Sequence, residues 1–274
     1  MTDRYAVIGN PIEHSLSPRI HAAFAEQTGE ALEYGRLLGD PERFEAQVHE
    51  FFAAGGRGLN VTVPFKERAA ALARRPSDRV CLAGAANTLG VDAEGVLWAE
   101  NTDGVGLVRD LTVNHHYPLV GSRVLVVGAG GAVRGVVRPL LAAAPAHLVI
   151  ANRTAEKARR LAADLNDPRV SGCGLDELAG ERFDLVINGT AAGLRGEVPA
   201  LPADILAADG WVYDMMYGAE PTAFVRWGLA HGAARALDGL GMLVEQAAES
   251  FRLWRGVRPE TRPVIHMLKR EMAT

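Results

Sequence analysis

Short apolar runs alternate with longer amphipathic stretches through most of this chain. In the first half, Tyr5 to Gly9, Glu33 to Leu37 and Gly58 to Val63 read as strands, with helices over Pro18 to Thr28 and Glu42 to Ala54 between them. In the second half, Val124 to Val127, Leu148 to Ala151, Leu185 to Asn188 and Trp211 to Asp214 read as parallel strands, again with helices between. Strands that take turns with helices predict βαβ units and parallel sheets, hence an α/β fold. Toward the end, Val244, Ala247, Ala248, Phe251 and Trp254 fall at helical spacing and form an apolar stripe that must pack on something. The chain is long enough for two domains, each with a core, and the boundary is expected near Asp103 to Gly121.

The polar interruptions carry the chemistry. Asn60 and Thr62 share one face of a strand because side chains alternate with period 2. Pro64 ends that strand, and the run Phe65 to Ala73 has helical composition, so Lys66 stands where a helix begins. Positive charge is mildly unfavourable there, by about 0.3–1 kcal/mol, so either a purpose other than helix stability placed Lys66 or it is a solvated surface lysine. Ala85-Ala86-Asn87-Thr88-Leu89, a turn over Gly90 to Gly95, and Val96 to Glu100 read as a hairpin whose far end delivers Asn101-Thr102-Asp103-Gly104. Asp103 can serve as the N-cap of the following helix, as a catalytic carboxylate, or as both. The loop Gly9 to Pro18 places two hydroxyls, Ser15 and Ser17, before the next helix; Ser17 with Pro18 behind it reads as an N-cap and first-turn pair, whereas Ser15 has no such structural reason.

The glycine-rich turn Gly128-Ala129-Gly130-Gly131-Ala132 follows the buried strand directly and leads into a helix over about Ala132 to Ala143, whose amides and positive dipole end suit a pyrophosphate. Val133 stands where the dinucleotide fingerprint has its third glycine, which predicts a slightly wider spacing of helix and strand. After the next strand, Asn152-Arg153-Thr154 and Lys157 replace the acid that an NAD site uses on the ribose hydroxyl. A guanidinium, a hydroxyl and an ammonium suit a 2′-phosphate, so NADP is expected over NAD; the alternative is that Thr154 merely caps the helix Ala155 to Leu165.

The formal net charge of −4, with both signs mixed along the chain, argues against nucleic acid or a membrane surface as partner. Cys81 and Cys173 fit neither metal spacing nor a disulfide framework, and the eight histidines are scattered, with His115-His116 in a polar connection. No metal site is expected. The start Met1-Thr2-Asp3-Arg4 lacks a leader pattern and no apolar run has membrane-spanning length, so a cytoplasmic protein is expected.

Taken in order, G-N-P-I-x-H-S-x-S-P, N-V-T-V-P-F-K-E and N-T-D-G, then the glycine turn, Asn152-Arg153-Thr154, Tyr213-Asp214-Met215-Met216-Tyr217-Gly218 and the stretch Asp238 to Ala247, resemble the shikimate dehydrogenase family in seven blocks from residue 9 to residue 247. That resemblance implies a discontinuous substrate domain, residues 1–103 plus 242–274, and a Rossmann-like doubly wound NADP-binding domain, residues 104–241, with the site in the cleft between them. It implies NADPH-dependent reduction of 3-dehydroshikimate to shikimate in aromatic amino acid biosynthesis, by a monomer or homodimer. Lys66 is then the acid in reduction and base in oxidation, with Asp103 as its partner. Ser15 and Ser17 resemble the groups that bind the substrate carboxylate, with Tyr217 a third donor, while Asn60, Thr62, Asn87 and Gln246 resemble those that read the ring hydroxyls. The cofactor set implied is Gly128, Ala129, Gly130, Gly131, Ala132, Asn152, Arg153, Thr154, Lys157, Thr190, Met215, Gly239 and Met242. Met242 is equally consistent with a core methionine. The competing expectations are an NAD-preferring quinate/shikimate dehydrogenase and a non-catalytic NADP-binding sensor on the same fold.

Overall fold

The structure is a computed structural model that describes residues 2–190, 192 and 196–273. The chain divides into two compact units, Met1–Gly106 with Val244–Met267, and Leu107–Leu243 with Leu268–Thr274.

The first unit contains β1 (Asp3–Gly9), α1 (Ser17–Thr28), β2 (Leu32–Leu38), α2 (Phe44–Ala53), β3 (Gly56–Val61), α3 (Lys66–Leu72), the two-residue β4 (Arg75–Pro76), α4 (Asp78–Ala83), β5 (Thr88–Val91) and β6 (Leu97–Glu100). Its sheet runs in the order β2-β1-β3-β5-β6-β4. β1 is parallel to β2 and to β3, whereas β5 is antiparallel to β3 and to β6. The hairpin predicted from Thr88 to Glu100 thus turns a parallel sheet into a mixed one. One face of the sheet carries Ala6, Ile8, Leu59, Val61 and Leu89 into a core with Phe44, Val48 and Phe65. The rings of Phe44 and Phe65 stack there, centroids 4.6 Å apart. The strand registers Tyr5↔Tyr34, Tyr5↔Gly58 and Asn60↔Thr88, with the two-residue period, put Tyr34, Tyr5, Gly58, Asn60 and Thr88 on the opposite face. That face receives α1 and the helix that carries Trp254: a Cβ on Gly58 would collide with the Trp254 indole, whose Nε1 donates to the Leu89 carbonyl at 3.0 Å.

The second unit contains β7 (Arg123–Val127), α6 (Gly131–Ala142), β8 (His147–Asn152), α7 (Ala155–Leu165), β9 (Val170–Gly174), a 3₁₀ turn (Leu175–Leu178), β10 (Phe183–Asn188), β11 (Leu206–Asp214), α8 (Ala223–Ala230) and β12 (Arg235–Leu237). All five pairings in the order β12-β11-β10-β7-β8-β9 are parallel. This is the doubly wound dinucleotide order, which reverses between β7 and β10. Val124 and Val126 point into a core with Val133, Val136, Leu140 and Leu161, while Leu125 and Val127 point into another with Phe183, Val212 and Phe224. Burial on both faces is why β7 is an unbroken apolar run rather than an alternating one.

Three helices remain: α5 (Asp103–Arg109), which continues into a π-helical turn (Asp110–Asn114), α9 (Leu240–Arg255) and α10 (Arg262–Met272). Among the described residues no helix is long and apolar enough to cross a membrane.

Candidate active site

In the first unit, Lys66 is the opening residue of α3, and its Nζ donates to Asp103 Oδ2 at 2.6 Å. The ammonium side chain keeps 26% of its surface exposed and the carboxylate 10%, so the pair lies at the edge of the protein interior. The backbone locks its two ends together, because the Ala86 amide donates to the Lys66 carbonyl at 2.8 Å just before Asn87. Asn87 is the hub. Its Nδ2 lies 2.8 Å from Asp103 Oδ1, 2.8 Å from Thr102 Oγ1 and 3.1 Å from Gln246 Oε1, and its Oδ1 accepts from the Thr102 amide at 2.9 Å. Both oxygens of Asp103 are therefore held by side chains. The helix α5 starts at Asp103 itself, so the N-cap expectation for this residue is replaced: its carboxylate faces Lys66 and Asn87, and its own amide donates to Asn101 Oδ1 at 3.2 Å.

Asn60, nearly buried on β3, joins the same cluster. Its Nδ2 lies 3.1 Å from both the Asn87 carbonyl and Ser250 Oγ, and 3.3 Å from Thr88 Oγ1. Thr62 follows the last residue of β3, with its amide donating to the Ile8 carbonyl at 3.0 Å. The serine loop corrects a second expectation. Leu16, not Ser17, occupies the N-cap of α1, and Ser17 is the first helical residue, buried. Ser15 supplies the local bond instead, its Oγ accepting from the Ser17 amide at 3.3 Å, while its carbonyl accepts from Arg36 at 2.7 Å. Sequence patterning missed Tyr34, Thr88, Thr102 and Ser250; the one signal for Ser250 is its position one helical turn after Gln246.

Tyr217 lies in the second unit, half-buried in the loop after β11, where burial raises its phenol above the usual range. That loop hangs on Asp214, which is fully buried. Its carboxylate accepts from Asn188 Nδ2 at 3.0 Å, Thr222 Oγ1 at 2.6 Å and the Met216 amide at 3.1 Å, and burial raises its pKa. Asn188 Oδ1 also accepts from Thr190 Oγ1 at 2.7 Å, so one buried pair fixes both Thr190 and the Met215–Met216 backbone.

The glycine turn has the shape that a phosphate-binding loop needs. Gly128 has φ +117°, open to glycine alone, and its amide donates to the Ala151 carbonyl at 2.8 Å. Gly130 occupies the N-cap of α6 with no side-chain cap, and a Cβ on Gly130 or Gly131 would meet nothing within 4 Å. The first turn of this 12-residue helix thus has no side-chain cap for its amides. The bulk of Val133 is taken up by bare backbone: a Cβ on Gly189 would lie 2.5 Å from Val133 Cγ2. Past the ends of β7, β8 and β10 lies a cleft of about 550 Å³ lined by Val127, Asn152, Arg153, Leu175, Thr190 and Pro199. Arg153, Thr154 and Lys157 are exposed, and Thr154, although at the N-cap of α7, makes no side-chain cap bond. Gly239 presses on the Met215 backbone, and Met242 is buried in the core with Tyr213 and Leu107, as the core alternative for this methionine expects. These features fit a dinucleotide carrying an extra phosphate. Among the described residues no group of histidine, cysteine, aspartate and glutamate is arranged to hold a metal, and His115 sits 3.7 Å from buried Asp110 rather than in a plain surface link.

Comparison with known proteins agrees along the chain. Residues 7–89 match the shikimate dehydrogenase substrate binding domain family, residues 111–195 the shikimate/quinate 5-dehydrogenase family, and residues 239–266 the shikimate 5′-dehydrogenase C-terminal domain. A shikimate dehydrogenase (NADP(+)) of Alkalilimnicola ehrlichii is 61% identical over 99% of this chain and 100% of its own length. One of Marinobacter nauticus is 58% identical over 97% and 98%. Among solved structures, an Ael1 enzyme from Pseudomonas putida superposes with a TM-score of 0.94 at 50% identity, over 97% of this chain and 98% of that one. The shikimate 5-dehydrogenase of Thermus thermophilus in complex with NADP(H) and shikimate superposes at 0.88 with 33% identity, over 99% and 100%.

Proposed function

The chain belongs to the shikimate dehydrogenase family, an NADP-dependent oxidoreductase that interconverts shikimate and 3-dehydroshikimate in aromatic amino acid biosynthesis, and on that premise we propose that Lys66 and Asp103 are its catalytic pair. The observation that carries this assignment is the 2.6 Å ion pair set in the asparagine-centred cluster. When bound, the nicotinamide supplies the hydride for the carbonyl carbon in reduction, or takes it back in oxidation. The proton is the protein's task. An ammonium has three donor hydrogens; with one on Asp103, Lys66 has others to offer the carbonyl oxygen, and it gives up a proton as that oxygen becomes a hydroxyl. Asp103 aims the ammonium and is itself kept from turning by Asn87.

Around this pair, Asn60, Thr62, Asn87 and Gln246 read the ring hydroxyls, Ser15 and Ser17 hold the carboxylate, and each neutral hydrogen bond contributes about 0.5–1.5 kcal/mol. A ring analogue lacking a hydroxyl leaves buried partners unmatched and is rejected more strongly than that. For the cofactor, the turn Gly128 to Ala132 takes the pyrophosphate, Asn152, Arg153, Thr154 and Lys157 take the 2′-phosphate, and Thr190, Met215, Gly239 and Met242 shape the remainder of the pocket. Free thiols at Cys81 and Cys173 support a cytoplasmic setting.

The test is Lys66→Ala. It lowers kcat by orders of magnitude and leaves KM for shikimate nearly unchanged, because the interaction matters chiefly in the transition state. An unchanged kcat removes Lys66 from the mechanism.

A further inference from the structure

Asn60 has both ends of its carboxamide tied inside the first unit. The Asn87 carbonyl, which can only accept, lies 3.1 Å from Nδ2, with Ser250 Oγ at 3.1 Å and Thr88 Oγ1 at 3.3 Å beside it. From the other side the Tyr34 phenol donates to Oδ1 at 2.6 Å. An amide offers two protons and two oxygen lone pairs, so the inward acceptors use the protons and Tyr34 uses one lone pair. One lone pair of Oδ1 is left for a ligand. Asn60 held this way can meet a ring hydroxyl only as an acceptor, with the substrate hydroxyl donating.

Tyr34 is built to stay in place. Its ring stacks on the buried His21 ring with centroids 4.1 Å apart and planes 5° from parallel. Burial raises the phenol well above its ordinary range, so it remains a proton donor at any working pH.

We propose that Tyr34 is a positioning residue that sets substrate recognition by holding the Asn60 oxygen toward the ring, an inference that rests on the assignment of Asn60 to the shikimate site. It does not touch the transferring hydride or proton, so its loss weakens binding rather than chemistry. Without the phenol hydroxyl the amide oxygen loses its anchor and the bond to the substrate is looser.

Tyr34→Phe keeps the ring on His21 and removes one oxygen. The expected result is a rise in KM for shikimate of about fivefold to tenfold, kcat within about twofold of the parent, and an unchanged KM for NADP. In an Asn60→Ala background the same substitution adds no further rise, since Tyr34 acts through Asn60. A folded Tyr34→Phe enzyme with the parent KM overturns the proposal, as does a rise that persists without Asn60. Loss of folding, read from the thermal midpoint, or an equal fall in kcat with both KM values raised makes the hydroxyl structural and also overturns it. A parent protein that does not oxidise shikimate removes the site assignment and this inference together; an active parent with an unaffected variant removes Tyr34 alone.

Discussion

Burial decides the charge of His21. The ring is 1% exposed, neither nitrogen meets a hydrogen-bond partner among the described residues, and desolvation lowers its pKa to about 3. The folded state therefore binds fewer protons than the unfolded state between the ordinary value of 6.5 and about 3, and stability falls as pH drops through that window. At about 1.36 kcal/mol per unit, the loss from pH 7 to pH 5 is about 2 kcal/mol for this residue. Urea unfolding at the two pH values measures it, and His21→Phe flattens the difference if the ring is its source. At this scale the grouping was legible: Lys66 and Asp103, with Asn87 and Gln246 added by the family resemblance, come from separate segments and hydrogen-bond in one cluster. Less so the serine loop. Ser-Pro is an N-cap signature, yet Ser17 is the buried first residue of α1, which begins one residue earlier than the signature implies.

Among the elements, sequence patterning found strands buried on both faces, such as β7 and β8, and also the half-exposed edge strand β2. It passed over the two-residue β4, β9 and β12. β9 reads Val-Ser-Gly-Cys-Gly, with two glycines and no apolar run, and β12 is three residues long; both are edges, where a strand needs little hydrophobicity to pair. The glycine turn itself was plain from the sequence, but the accommodation of Val133 was not, since Gly189 lies far along the sequence at the end of β10. Gly189→Ala puts a methyl against Val133 and costs about 1–3 kcal/mol by overpacking, read as a lowered urea midpoint. The end of the chain shows the opposite case, a charge used as a bolt. Glu245 on α9 is fully buried and accepts from Arg258 at 2.6 Å and Thr261 at 2.6 Å, tying α9 to the segment that leads into α10. Glu245→Ala leaves the Arg258 guanidinium with Glu249 alone and destabilises by about 3 kcal/mol, which thermal unfolding detects.

For the whole molecule, the proposed basis of the cofactor choice is charge placed outside the glycine loop. Arg153 and Lys157 are exposed at the end of β8 and the start of α7, where an acid for the ribose hydroxyl would otherwise stand. A charge-assisted bond to phosphate contributes about 1.5–3 kcal/mol, so Arg153→Ala lowers kcat/KM for NADP by about tenfold to a hundredfold and leaves the value for NAD nearly unchanged. Equal losses for both cofactors would place Arg153 elsewhere in the pocket. The central claim is the pairing of shikimate with NADP, and the most direct measurement follows absorbance of the reduced nicotinamide while the purified protein meets shikimate or quinate with NADP or NAD in every combination. Fast reduction with shikimate and NADP, and slow or none in the other three mixtures, is the predicted result; preferred turnover of quinate with NAD, or no turnover in any mixture, contradicts it.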